Sequence, residues 1–405
     1  MVLSAINRIA IATLGLALSA TTVQGQQPIR IGAIYILSGT AATYGEFARQ
    51  GIDLAVEEIN ADGGILGRPV TFVVEDSEAK SAVAIQKARR LVYEQQVDVL
   101  VGLDSSGVAT GVVPIVPELQ KPLIITHAAT PDVTGRLCNR FVFRNSVNIN
   151  QNVQGAAIVA AEQTDARRWT TIGPDYAFGR QSWDYFQQYM KAQAPEAEFM
   201  DEVAFPPFGA GDYVPFINRI MAAEPEGILI SLWGGDLVNF VRQADNLGFF
   251  DRGFEVFMTV GAATEVLTAL GERMPEGVWL GTRYWFAARE SEINQKFVAA
   301  YRERFGVPPS YNAEGAYSAV YTVKAAMEKA GSSEASAVID ALEGLTVETP
   351  AGPRHFRPGD HQAVLPANWG KAAGMTDMGI RALEPLFAIA GERVTPPVAE
   401  TGCQL

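Results

Sequence analysis

The chain has 405 residues, 48% of them hydrophobic, and a formal net charge of −13. That length suffices for two domains with separate cores, and the acidic balance excludes nucleic acid as a partner, because phosphate binding needs a basic surface. Two cysteines and three histidines fit neither the number nor the spacing of a structural zinc site, which takes about four nitrogen or sulfur ligands.

Residues 1–25 read as a signal peptide. Arg8 is their only charged side chain, residues 9–18 form an apolar core too short to span a bilayer, and Val23-Gln24-Gly25 suits cleavage before Gln26. Cleavage there leaves 380 of the 405 residues and moves the net charge from −13 to −14, since Arg8 is lost. No cysteine sits at the cleavage point to carry a lipid, and no later run approaches the roughly 20 apolar residues of a membrane helix. The expected product is exported, periplasmic and not membrane-inserted.

The first elements after this point form a strand–helix–strand unit. Residues 31–37 are apolar on both faces, as a buried parallel strand is, and stop at Ser38-Gly39. From about Gly45, apolar residues approximate helical spacing as far as Ile59, and Asn60-Ala-Asp-Gly-Gly64 supplies the positive-φ positions that end a helix. Residues 70–74 are the next strand. Such a unit is a right-handed parallel crossover, whose ligands gather at the loops after the strand carboxyl ends; residues 38–44 are one such loop. There is no G-x-G-x-x-G after the first strand and no G-x-x-x-x-G-K-[ST] in the chain, so no phosphate cradle is expected.

These residues also carry a family resemblance. SG-x-x-A-x-YG, then a helix, NA-x-GGI-x-G, and a strand ending in acids resemble the start of the Leu/Ile/Val-binding proteins of branched-chain amino acid ABC transporters. The resemblance covers residues 28–390. It implies an α/β, two-lobed type I periplasmic binding protein fold, each lobe a parallel sheet flanked by helices, with three hinge crossings.

The alternation continues with helix 79–95, strand 97–101, helix 108–119, strand 123–126 and an extended segment at 141–144. A second set follows: helix 149–163, strand 169–172, helix 180–191, helix 213–223, strand 227–232, helix 237–247 and strands 254–260 and 278–282. Helices 291–305, 313–329 and 336–345 come next, with a turn at Gly306-Val-Pro-Pro309. Two successive sets with a break at 143–148 predict two similarly built lobes. The resemblance adds crossings at 283–287 and 345–350. Lobe 1 is then 26–145 plus about 286–347, lobe 2 is 146–285 plus about 348–392, and 393–405 is a tail with little regular structure.

Catalytic signatures are absent. No G-x-S-x-G or H-E-x-x-H occurs, and the histidines are His127, His355 and His361; no cofactor or metal is implied. Binding asks only for polar groups at loop ends and aromatic walls. Gly102-Leu-Asp-Ser-Ser106 follows a strand and precedes a helix, so its hydroxyls and free N–H groups suit a carboxylate, or merely cap the helix. By resemblance, Ser105 or Ser106 contacts ligand, as do the Ala128 carbonyl and the Thr130 hydroxyl; Thr130 serves equally as a turn hydroxyl before Pro131. His127 replaces a proline often found in the family and is either a ligand contact or a hydrogen-bonded loop residue.

Aromatic candidates are Tyr44, Phe178 of Asp175-Tyr-Ala-Phe-Gly179, Trp233 before Gly234-Gly235-Asp236, and Tyr317, each at a position where the family contacts ligand. Any of them taken alone reads as core. Gly261 falls where amino-acid-binding members carry an acid for the ligand ammonium. Either Glu265, Asp236 or Glu314 takes over that charge, or the solute has no amine, since an unpaired buried ammonium is costly. Residues 352–362, with His355 and His361, read as a surface β-hairpin near the hinge.

Cys138 and Cys403 are expected to form a disulfide, because an oxidising compartment permits one and the last crossing brings the tail toward the first hinge. The functional expectation is the monomeric solute-binding component of an ABC importer. A small carboxylate-bearing solute meets Ser105, Ser106 and Thr130, Phe178 and Trp233 close over it, and a membrane permease receives it. Aromatic or other organic acids stand slightly ahead of branched-chain amino acids. The rivals are a sensor of the same fold acting on a receptor or regulator, and a secreted hydrolase using Ser105 or Ser106.

Overall fold

A computed structural model describes residues 27–405; the expected signal peptide lies outside them. The first sheet is built from β1 (Ile29–Tyr35), α1 (Ala42–Ala61), β2 (Val70–Asp76), α2 (Ser81–Tyr93), β3 (Val99–Gly102), α3 (Ser106–Val112), α4 (Val116–Leu119), β4 (Leu123–Ile125) and β5 (Val142–Arg144). Its strand order is β2-β1-β3-β4-β5, all parallel, with Ile31 of β1 opposite Phe72 of β2 and Val99 of β3. The helix expected over 108–119 is two pieces joined by a 3-10 turn at Val113–Ile115. Pro114 and Pro117 lack the N–H that a continuous helix would use.

The chain then enters a second sheet through α5 (Ile149–Gln163), β6 (Arg168–Ile172), α6 (Ala177–Gln193), β7 (Glu198–Phe199), α7 (Val214–Ala223), β8 (Gly227–Ile230), α8 (Gly234–Asn246), β9 (Glu255–Met258), α9 (Thr264–Leu270) and β10 (Trp279–Thr282). A capping box fixes where α5 begins: Asn148 accepts from the Gln151 N–H at 2.9 Å, and the Gln151 side chain accepts from the Asn148 N–H at 2.8 Å. Three helices, α10 (Glu292–Phe305), α11 (Tyr311–Ala330) and α12 (Ala335–Leu342), return to the first sheet, where α11 lies along α1.

Short strands β11 (Thr346–Val347), β12 (Arg354–Phe356) and β13 (Ala363–Val364) lead back to β14 (Ala367–Met375) and β15 (Arg381–Ile389), and a short α13 (Gly391–Val394) follows. The second sheet runs β15-β14-β10-β9-β8-β6-β7, parallel except for the antiparallel β14 and β15. The β14–β15 pair, β7 and α9 are absent from the expected elements. Gly370, Gly374 and Pro385 break the pattern of the long pair, and its strength comes from burying Trp369 against α5.

Residues 352–362 require a correction. They form strands as expected but not a surface hairpin: Arg354, Asp360, His361 and Gln362 are buried, while His355 faces outward. His361 stacks on Phe143 at 3.9 Å, and Arg354 pairs with Glu314 of α11 while donating to Asn145 O at 2.6 Å. Arg144, fully buried, donates to Gln362 Oε1 at 2.6 Å, Thr134 Oγ1 at 2.6 Å and Thr130 O at 2.5 Å. Desolvation by burial pulls its guanidinium down to about 9, against the opposing pull of the Asp360 and Asp132 carboxylates.

Helices α1 and α11 approach closely because Gly51 has no side chain; a Cβ there would sit 2.1 Å from Ala313 O. Gly51→Ala gains about 1 kcal/mol of helix propensity but forces the two backbones apart, and overpacking costs typically about 1–3 kcal/mol. The variant should show a lower urea midpoint with an unchanged m-value; a higher midpoint would mean that propensity outweighs the contact.

Candidate ligand-binding cleft

In each sheet the strand order reverses direction beside the first strand of its set, and the loops at those reversals open toward the other lobe. The gap between them is lined from the first lobe by Tyr44, Asp104, Ser106, His127, Ala129 and Tyr311. The second lobe supplies Tyr176, Phe178, Trp233, Val260 and Arg283. It holds about 300 Å³ of space between atoms. The lobes are closed on each other. Tyr44 Oη accepts from the Gly234 N–H at 3.2 Å across the gap, and a Cβ on Gly235 would lie 2.6 Å from Thr40 O.

The wall is largely aromatic. Trp233 meets Tyr44 edge-on at 5.2 Å, is backed by Phe208 stacked at 5.0 Å, and donates from Nε1 to Tyr176 Oη at 2.9 Å. Tyr311, in the first turn of α11, is edge-on to Tyr44 at 6.0 Å. Desolvation raises the phenols of Tyr44, Tyr176 and Tyr311, so all three are neutral donors at pH 7.

The polar end is built around Arg283, which directly follows β10. It is 8% exposed, donates from Nη1 to His127 O, and lies 5.0 Å above the Tyr311 ring. Its Nε has no partner, and no carboxylate among the described residues pairs with it. Asp104 Oδ2 accepts from the Ile36 N–H at 2.7 Å, and its Oδ1 lies 3.1 Å from His127 Nδ1. His127 Nε2 is 2.9 Å from Asn312 O; a carbonyl only accepts, so this nitrogen carries the proton. Both His127 nitrogens are therefore engaged by protein.

The structure brings Tyr44, Ser106, Phe178, Trp233 and His127 together at the cleft. Ser105 sits beside it at the N-cap position of α3, where its side chain makes no capping hydrogen bond. Ala128 is fully buried and gives its carbonyl to Arg144 at 3.4 Å. Thr130 is likewise buried, and its hydroxyl accepts from the Asp132 N–H at 3.3 Å as the cap of a 3-10 turn. The turn-hydroxyl alternative describes it. Tyr317 needs correction: it lies on a different face of α11, donates to Glu58 Oε2 at 2.6 Å and packs on Phe297 at 4.5 Å. Tyr311, six positions earlier, is the α11 tyrosine at the cleft.

Of the acids offered as substitutes for Gly261, none lines the cleft. Asp236 accepts from the Gly209 N–H at 2.7 Å, and Glu314 is paired with Arg354. Gly261 itself faces the core, since a Cβ there would meet Leu280 at 2.6 Å, and Val260 forms the wall instead. Glu265 is buried behind it; its Oε1 accepts from Asn312 Nδ2 and its Oε2 has no partner.

Sequence reasoning missed Arg283, Tyr311, Asp104 and Tyr176. A cation placed immediately after a buried strand was the available signal for Arg283. The phenols needed the tertiary structure.

Two similarly built α/β lobes closing on an aromatic gap define a bilobed solute-binding protein. The chain belongs to the periplasmic binding protein family, whose model matches residues 28–374. It is 26% identical over 361 residues to Leu/Ile/Val-binding protein homolog 6 of Brucella melitensis, spanning 87% of this chain and 89% of that one. Among solved structures, an amino acid ABC transporter substrate-binding protein of Pseudomonas fluorescens Pf-5 superposes with a TM-score of 0.83 at 25% identity, covering 94% of this chain and 99% of the other. A solute-binding protein of Rhodopseudomonas palustris BisB5, in complex with 3,4-dihydroxy benzoic acid, shares the fold with a TM-score of 0.80 at 24% identity, over 90% and 98% of the two chains. This protein is a periplasmic solute-binding component of an ABC importer, in a family that binds rather than catalyses.

Desolvation pushes the Glu265 carboxyl up to about 7, from about 4.3 in an unfolded chain. Between those values the folded protein holds a proton that the unfolded chain releases. The contribution of this group to stability therefore falls as pH rises through that window. Glu265→Gln keeps an acceptor for Asn312 and removes the titration. Relative to the variant, wild type should lose on the order of 3 kcal/mol between pH 4.5 and 8, read from urea unfolding at each pH. A constant difference would place the charge elsewhere.

Proposed function

We propose that the protein captures a small aromatic or otherwise apolar carboxylic acid in this cleft and delivers it to a membrane permease. The observation that carries this reading is Arg283, a buried guanidinium with an unpartnered Nε inside an aromatic cavity. A buried cation without a counter-ion is costly, and a ligand carboxylate removes that cost with charge-assisted hydrogen bonds. Ser106 adds a hydroxyl at the same end, while Trp233, Phe178, Tyr44 and Tyr311 suit a flat apolar body. Val260 at the wall, in place of an acid, favours a solute with no α-amino group. The benzoic acid complex of the R. palustris structural relative supports the same class, whereas the Leu/Ile/Val-binding relatives support the amino acids. Export by cleavage near Gly25 and a monomeric state complete the reading.

Thermal-shift screening tests the solute class. Ligand at a hundred times its dissociation constant stabilises by about 2.7 kcal/mol, so benzoate-type acids should raise Tm clearly and leucine, isoleucine and valine should not. The reverse pattern overturns the reading. Arg283→Met should weaken binding of an identified acid by roughly ten- to a hundredfold, the loss of about 1.5–3 kcal/mol for a hydrogen bond to a charged group. Titration calorimetry measures it, and unchanged affinity would remove Arg283 from the site.

A further inference from the structure

The C-terminal segment has no part in the solute-binding reading, yet it is firmly placed. After β15, α13 packs on α5 of the second lobe, and Gln151 Nε2 donates to Thr395 Oγ1 at 2.8 Å. The chain then leaves that lobe. Arg357 Nη1 donates to Pro396 O at 2.7 Å, Val398–Glu400 form a 3-10 turn, and Thr401 O packs so closely on Gly135 that a Cβ there would lie 2.6 Å away. Cys403 ends the path in a disulfide with Cys138, which lies between β4 and β5 in the first lobe.

We propose that residues 395–403 are a covalent tether that limits how far the two lobes separate. The three hinge segments join the lobes by continuous chain; this fourth crossing is closed by a sulfur–sulfur bond. From Thr395 to Cys403 the path is eight residue-to-residue steps, which fully extended reach at most about 29 Å. Folded with a 3-10 turn, they span less, near 2 Å per residue in that turn. Opening is thus free while the turn unwinds, and the chain itself stops it once straight.

Slack is present. A cavity of about 210 Å³ lies between the tether and both lobes, bounded by Asp132 and Arg136 of the first, Asn150 and Tyr185 of the second, and Glu400 of the tether. The anchor also bears on the cleft. Cys138 lies in the turn that follows the one capped by Thr130, with its N–H donating to Gly135 O at 2.9 Å, and Thr130 follows Ala129 of the cleft wall. Pull on the tether therefore reaches the wall along the run from Cys138 back to Thr130.

Small-angle X-ray scattering of the ligand-free full chain tests this without reference to any solute. The Cys138→Ser/Cys403→Ser double variant should give a larger radius of gyration and a longer maximum dimension than the oxidised native protein. Native protein reduced with dithiothreitol should match the variant, provided that its circular dichroism is unchanged. If the double variant fails to fold, the reduced native protein alone decides the matter. Superimposable scattering from oxidised and unbridged protein, even with a lower Tm for the latter, overturns the proposal and leaves the disulfide as a staple of the tail.

Discussion

Two parallel sheets face each other with their carboxyl ends inward, and the rest of the molecule follows from that arrangement. A right-handed crossover places each helix after its strand and puts the intervening loop at the carboxyl end. Where the strand order reverses, beside β1 in one lobe and β6 in the other, adjacent loops diverge and leave a crevice. Joining two such lobes by short segments at one side brings the crevices together. The cleft is consequently lined by residues where those loops run into helices, such as Tyr44, Ser106, Phe178 and Trp233, while the strands behind them stay apolar and buried.

Charge is distributed unevenly around this cleft. Arg283 and Arg144 are both buried without a carboxylate partner, and their mutual repulsion adds to the desolvation of Arg144. Arg144 satisfies its guanidinium with neutral acceptors from Gln362, Thr134 and Thr130. Arg283 does not, keeping one N–H free toward the aromatic space. The difference is physical: Arg144 sits among crossing segments rich in hydroxyl and amide groups, whereas Arg283 emerges from a strand end among aromatic rings, where the His127 carbonyl accepts from it.

The crossings themselves are polar for a related reason. Where the chain passes between lobes, backbone groups leave the regular ladders and must find other partners. Gln151, Gln362 and the Arg354–Glu314 pair supply them from inside. Arg354, His361 and Gln362 of segment 352–362 serve this duty, which explains why residues typical of a surface turn lie buried there.

The sequence by itself determined the class of fold, because apolar runs with period-3.6 helices between them and glycine stops after them leave few alternatives to parallel crossovers. It also marked loops whose side chains meet, since a residue just past a buried strand can only point into the end of the sheet. Tyr44, Phe178 and Trp233 stood out by that placement together with the family resemblance, and Ser105 and Ser106 remained alternatives. Tertiary structure alone decided which tyrosine of α11 faces the cleft: Tyr311 and Tyr317 lie on different faces of the helix, and the rotation is set by Gly51 admitting the Ala313 backbone. The same holds for Thr130, whose hydroxyl is spent on a turn, and for Gly261, whose Cβ direction points between β9 and β10. Chemical type and strand position are local properties of a chain; the direction in which a side chain finally points depends on what packs behind it, and that information belongs to residues hundreds of positions away.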